Sequence, residues 1–332
     1  MPVLSHRRSH RFAVFAALTA LALFSLLLAL GAGSVPVAPA ELWAALRGEA
    51  AGVGGPVVLE LRLPRALSAF VTGGLLALAG CLTQVLLRNP LADPYILGIS
   101  GGAATAALLG IAAGLGGAWL SGCAFAGALL SMFLVFGLAR GRGGWTSTGL
   151  LLTGVVVAAG WGALISLLLA IGPEQSLRGM LFWLMGDLGQ ARGWGFGAAL
   201  LLAGLAAALA LARSLNLLAR GEVQASVLGV AVTPLRLALF FLASLLTAAA
   251  VTIAGSVGFV GLVVPHLLRL IVGGDHRLLL PAAALGGGSF LVLADTLART
   301  VIAPQQLPVG VLSALIGVPL FLFLLRRHGS GA

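Results

Sequence analysis

Residues Arg213–Arg236, RSLNLLARGEVQASVLGVAVTPLR, form the longest polar interruption between apolar runs in the second half of this 332-residue chain. A charge-free run of 20 residues, Gly193–Ala212, precedes it, and one of 32, Leu237–Leu268, follows. Within the stretch Leu217, Leu218, Val223, Val227 and Leu228 alternate with Arg220, Glu222 and Gln224, while Gly221 and Gly229 break the backbone. The pattern predicts two short helices joined at a glycine, lying at a membrane surface rather than crossing it. Two readings fit the residues alone: a solvated loop, or a lever on which a soluble partner docks.

Composition supports a membrane class. Hydrophobic residues make up 60% and charged residues 8% of the chain, against about 25% charged in an ordinary globular domain. Mean hydropathy is +1.12. All nineteen basic residues are Arg, and the net charge is +10. These Arg stand singly between apolar runs and form no basic face, which argues against nucleic acid as a partner. Cys81 and Cys123 both fall within apolar runs and have no metal-ligand spacing, so they read as small core residues. The 48 glycines suit close helix approach in lipid.

A basic head, His6 to Arg11, precedes an uncharged run from Phe12 to Ala40. Ala38-Pro39-Ala40 resembles a signal-peptidase site, but Phe12–Ala32 is long enough to span, so an uncleaved first helix is expected. Glu41–Pro64 reads as a polar loop. The later uncharged runs are Ala66–Leu87, Pro94–Ala139, Gly143–Pro173, Gly193–Ala212, Leu237–Leu268, Leu278–Ala294 and Thr300–Leu325. Pro94–Ala139 must hold two helices, broken near Gly114–Gly117. Leu237–Leu268 is too long for one span, with Gly255, Gly258, Gly261 and Pro265 interrupting it. Both termini are basic, which predicts an even count, ten spans, with both ends cytoplasmic. That topology leaves six Arg outside (Arg47, Arg62, Arg65, Arg178, Arg192, Arg299) and thirteen inside, in accord with the positive-inside rule. It places Arg213–Arg236 in the cytoplasm.

Ordered motifs then carry a resemblance. Leu61-Arg62-Leu63-Pro64-Arg65, Arg88-Asn89-Pro90-Leu91-Ala92-Asp93-Pro94 and Leu97-Gly98-Ile99-Ser100-Gly101-Gly102 occupy the first half. Gly258 to Arg269, Asp275 to Pro281, Leu293-Ala294-Asp295 and Leu307-Pro308-Val309-Gly310 occupy the second. From about Arg62 to Arg327 the chain resembles the permease family of ABC importers for cobalamin, ferric siderophores and haem. The resemblance implies an all-α, type II importer permease in one domain, residues 1–332. Its ten helices would include an inverted repeat of spans two to five and seven to ten. In the letters, the best echo of that repeat is Ala77-Leu78-Ala79-Gly80 against Thr252-Ile253-Ala254-Gly255. It further implies a homodimer in a bacterial inner membrane, two cytoplasmic ATPase subunits that bind ATP and Mg, and a soluble binding protein outside.

Three sets of site residues come over with the resemblance. The coupling segment, about 213–236, would contact the ATPase through Arg220, Gly221, Glu222, Ala225, Leu228 and Gly229. Arg62, Arg65 and Arg299 would dock carboxylates of the binding protein, a task that suits the planar Arg fork; interfacial anchoring is the competing role, and Asp295 is the i+4 partner of Arg299. Asn89, Leu91, Ser147 and Thr148 would stand at the inner mouth of the pathway, where Ser147 or Thr148 also reads as a helix cap and Asn89-Pro90 as a turn. No metal site or cofactor is expected in this chain, and His266 reads as structural.

No phosphate-binding loop and no paired carboxylates occur, so energy must come from another chain. The competing reading is an ion-coupled secondary transporter that uses Asp295, an acidic residue beside a span.

Overall fold

The computed structural model describes residues 2–33, 35–49, 54–141, 144–189 and 193–329, and among these the fold is all-helical with no β-strand. Helix α1 (Pro2–Gly31) is followed by α2 (Pro39–Leu46). Helix α3 (Gly54–Pro56) runs through a π-helical turn (Val57–Arg62) into α4 (Leu63–Leu86), giving one 33-residue apolar unit. A 3₁₀ turn (Pro94–Leu97) leads to α5 (Ile99–Ala112), then α6 (Gly117–Leu138), α7 (Ser147–Ile171) and α8 (Glu174–Leu184). Helix α9 (Trp194–Ala210) bends by 62° into α10 (Ala212–Leu218), and α11 (Glu222–Val227) follows. The last four are α12 (Val232–Ala254), α13 (Val260–Val272), α14 (His276–Ala298) and α15 (Val309–Gly329). Among the described residues six helices are long and apolar enough to cross a membrane, and the bent α9–α10 pair can count as a seventh. Helices α5, α13 and the Val309–Leu324 part of α15 are shorter apolar helices.

Breaks fall where the glycines place them. Helix α5 ends before Gly114 (φ +75°), and Gly117 (φ +56°) opens α6. The long run Leu237–Leu268 divides at Gly255 (φ +67°) and Phe259 (φ +69°). Two expectations need correction. Glu41–Pro64 is not a loop, because most of α2, all of α3 and the π-helical turn fall in it; helix α4 is entered from Gly54 rather than starting at Ala66. Likewise α12 starts at Val232, before Arg236, and α14 runs past Asp295. In each case the charge that ended an apolar run is paired inside the protein, so it does not mark the edge of the helix.

Helix α4 is the axis of the fold. Its core stretch is 89% buried, packed between α12 and α14 with α13 and α9 alongside. With lipid outside, close backbone contact replaces the hydrophobic effect as the cohesive device. A Cβ on Gly73 would lie 2.1 Å from Gly287 O, and one on Gly287 would lie 2.4 Å from Gly73 O. The crossing of α4 and α14 therefore requires glycine on both sides. A second approach joins Gly80 to Gly261 O at 1.9 Å by the same measure.

The order long, short, long recurs, each time followed by a further helix, α7 or α15. Helices α4 to α7 and α12 to α15 each contain a short second member, α5 or α13, that packs on the third. Each short member is entered at a residue of positive φ, Gly98 (78°) or Phe259 (69°). The α4–α14 packing has its counterpart in α12–α6. The letter echo between Gly80 and Gly255 does not mark equivalent positions: Gly80 lies inside α4, whereas Gly255 terminates α12.

Candidate functional site

Two polar clusters stand at opposite ends of α14. At one end are Arg62, Arg65, Asp295 and Arg299. Arg65 grips Asp295 in a fork, with Nε to Oδ2 at 2.9 Å and Nη2 to Oδ1 at 2.8 Å, while its Nη1 donates to Gln306 Oε1 at 2.6 Å. Arg299 Nε lies 3.7 Å from Asp295 Oδ2, one helical turn away. Arg62 Nη1 donates to Leu30 O at 2.8 Å and Gly31 O at 2.9 Å, its Nη2 donates to Val35 O, and Arg299 Nη2 donates to Ala29 O. Two guanidiniums thus satisfy the last carbonyls of α1, which a helix otherwise leaves orphaned, and their positive charge complements that end of its dipole.

Docking and anchoring were both open for these three Arg, and the partners seen here are of the anchoring kind. Arg62 and Arg299 are buried, and Arg65 is largely enclosed. Beside them is a cavity of about 210 Å³, lined by Arg62, Arg65, Arg299 and Gln306 together with Val57 and Leu61. Three Arg and no carboxylate line that cavity, which gives it positive character. Asp295 has Arg65 as its main partner and Arg299 as its second; it joins α14 to α4, and Arg299 in turn reaches the end of α1. Replacing Asp295 with Asn should leave two enclosed guanidiniums without a counter-charge, at a cost of about 3 kcal/mol or more. The expected result is a lower melting point of the detergent-solubilised protein, whereas an unchanged melting point would contradict this structural role.

The opposite end carries the predicted coupling segment. The two short helices joined at a glycine are present: α10 and α11 flank Gly221 (φ +132°). Helix α11 presents Val223, Val227 and Leu228 outward at 78%, 81% and 64% exposure, with Arg220, Gln224 and Ser226 also exposed. Ala225 is instead fully buried and is the face by which α11 rests on the protein. Glu222 also turns inward: its Oε1 meets Arg236 Nη2 at 2.8 Å and Arg88 Nη2 at 3.6 Å. Of the six residues expected to contact an ATPase, Arg220, Leu228 and Gly229 are exposed, Gly221 is half-buried at the hinge, and Ala225 and Glu222 anchor the segment; Val223 and Val227 are exposed apolar residues outside that set. Their signal was the i, i+4 spacing across from Ala225. Beside them a groove of about 620 Å³ runs between the bend and the start of α12, lined by Arg213, Ser214, Leu217, Leu228 and Pro234.

Asn216 fastens the bend to the start of α14. Its Nδ2 donates to Asp275 Oδ1 at 2.8 Å, and its Oδ1 receives His276 N at 2.9 Å and faces His276 Nδ1 at 2.7 Å. A carboxylate only accepts, so the amide orientation is settled and His276 must carry its proton on Nδ1. Burial raises the Asp275 carboxyl, but the hydrogen bonds from Asn216 and Arg277 N and the charges of Arg277 and Arg11 outweigh it and hold it below its usual range.

The residues expected at the inner mouth gather near the same end. Asn89, Leu91 and Thr148 are exposed. Asn89 Oδ1 accepts from Leu91 N at 2.9 Å, which makes the expected turn. Ser147 is buried and donates to Leu86 O at 2.7 Å. The cap of α7 is neither Ser147 nor Thr148: Thr146 accepts from Gly149 N at 3.0 Å.

With this geometry in place the chain was compared with known proteins. The sequence profile of the FecCD transport family matches residues 21–327. The chain belongs to the FecCD transport family. It is 45% identical over 275 residues (81% of this chain, 73% of the relative) to the cobalamin import system permease protein BtuC of Halobacterium salinarum. It is 44% identical over 286 residues (81% and 83%) to the hemin transport system permease protein HmuU of Yersinia pestis. A solved metal-chelate-type ABC transporter in an inward-facing conformation superposes with a TM-score of 0.82 at 33% identity, covering 96% of this chain and 99% of that one. As a FecCD member the chain is the type II permease subunit of an ABC importer, and the resemblance read from its motifs is borne out.

Proposed function

We propose that this FecCD permease forms, as a homodimer in the bacterial inner membrane, the pathway for a metal chelate. A ferric siderophore is the foremost candidate, with haem or cobalamin as the others. A soluble binding protein delivers it outside, and two ATPase subunits that bind ATP and Mg act inside. The single observation that carries this reading is the exposed apolar face of α11, Val223, Val227 and Leu228, on a segment pinned from behind by Ala225 and Glu222. A face of that kind at a polar end needs a protein partner. The names of relatives that import cobalamin and hemin support the chelate class. The six long apolar helices, the bent pair and the three shorter ones would make the ten spans, with α4–α7 and α12–α15 as the inverted repeat and both termini cytoplasmic. Outside, docking would use the excess positive charge around Arg65 and its cavity, with Arg62 and Arg299 supplying field rather than arms. The reading that uses Asp295 for ion coupling has no support, because that carboxylate is held between Arg65 and Arg299.

Topology supplies the test. Native Cys81 is buried, so a Cys123→Ser background suffices. In it a cysteine replacing Ser226 should react with a membrane-impermeant maleimide only in inside-out vesicles, and one replacing exposed Trp43 only in right-side-out cells. (Gly52, the outer position suggested by sequence, lies outside the described residues.) Reaction of both positions from one side would overturn the arrangement.

A further inference from the structure

Arg236 is a buried cation, 7% exposed, that faces two elements at once. Its Nη2 holds Glu222 of α11 at 2.8 Å, and its Nη1 donates to the carbonyl of Trp145 in the turn before α7. That turn cannot yield by itself. The Trp145 ring stacks on Phe136 with centroids 4.9 Å apart, its Nε1 donates to Phe136 O at 3.0 Å, and the Arg140 guanidinium lies 5.0 Å over its face. Thr146 then caps the first turn of α7. Helix α7 is the least embedded of the six long apolar helices, with 11% of its core stretch buried against 89% for the α4 unit. Within its own chain it therefore has the least packing to resist a displacement at its foot, while α4 offers a fixed reference.

We propose that Arg236 is a positioning residue that ties the coupling segment to the foot of α7, so that a displacement of α11 is delivered to that helix. The inference rests on the reading of residues 213–236 as the ATPase-coupling segment and deepens it. The chemistry needs the fork. A planar guanidinium holds a carboxylate and a carbonyl in fixed relative positions, whereas an ammonium on a flexible stem holds them only as a point charge. If Arg236 merely neutralised Glu222, Lys would serve equally well.

The experiment compares wild type with Arg236→Lys in the complete complex with ATPase and binding protein in proteoliposomes, each carrying Thr148→Cys and Cys123→Ser. The readout is the rate of maleimide reaction at position 148, without nucleotide and after trapping with ATP and vanadate. Wild type should show a change in rate between the two states of about ten-fold, equivalent to ~1.4 kcal/mol in the opening equilibrium. Arg236→Lys should reduce that change to less than about two-fold while the variant still co-purifies with the ATPase and hydrolyses ATP. A change in Arg236→Lys equal to that of wild type would overturn the proposal. Val227→Asp provides the separation: it should weaken co-purification with the ATPase, and if it does not, the coupling reading fails first. A wild-type complex that shows no change at position 148 on trapping would overturn the linkage to α7 itself.

Discussion

Glu222→Arg is expected to cut both ATPase co-purification and binding-protein-stimulated hydrolysis by about ten-fold or more, each factor of ten corresponding to ~1.4 kcal/mol. The new guanidinium would face Arg236, whose side chain is 8% exposed, and Arg88. Arg236 would lose its only carboxylate among the described residues and keep the Trp145 carbonyl. Glu222 is about one-third exposed, which screens the pair, so the loss should fall below the ~3–5 kcal/mol of a fully buried pair broken on one side. The consequence is geometric: with its anchor repelled, α11 no longer holds Val223, Val227 and Leu228 in place. Glu222→Gln, which keeps an acceptor for Arg236, should retain most of the function. Wild-type co-purification and stimulation in Glu222→Arg would show that the inward pair does not position the segment.

Gly287→Leu should have the largest effect on the fold. Its Cβ would lie 2.4 Å from Gly73 O and 2.5 Å from the Ala77 Cβ, and both are on the most enclosed helix. The obstacle is backbone, which no rotamer change relieves, so α4 and α14 must separate at a cost above ~3 kcal/mol. The measurement is the amount of protein in the membrane and its melting in detergent, with Gly122→Leu as control, since a Cβ at Gly122 meets nothing within 4 Å. Loss of Gly287→Leu and normal accumulation of Gly122→Leu is the expected pair of results. Equal accumulation of both would mean that the two helices do not meet at these glycines.

The limits of the sequence show at particular residues. The divisions at Gly114–Gly117 and Gly255–Phe259 were legible because glycine clusters interrupt long apolar runs, and the structure uses them as turns of positive φ. The two-helix form of residues 213–236 was legible for the same reason. Helix starts at Gly54 and Val232 were not, because the rule that a charge ends a span treats Arg62, Arg65 and Arg236 as solvated. A side chain that caps α1 from 32 residues away, as Arg62 does at Leu30 O, leaves no local mark in the sequence. The same holds for Asp295, whose nearest partner in sequence, Arg299, is the weaker of two, while Arg65 stands 230 residues away. Motif resemblance found the Arg gathered around Asp295 but carried no information on which atoms remain free. The exposed pair Val223 and Val227 was within reach of a helical-spacing argument, once α11 was taken as a helix with Ala225 on its inner face.

Transport itself tests the central claim most directly. Haemin, cyanocobalamin and a ferric siderophore are offered in parallel to the permease reconstituted in proteoliposomes with its ATPase and its loaded binding protein. The account predicts accumulation of one of them that requires ATP and Mg²⁺ on the side of Ser226 and the binding protein on the other. That accumulation should survive collapse of the ion gradients by ionophores. Accumulation by the permease alone under an imposed proton or sodium gradient, indifferent to ATP, would contradict it.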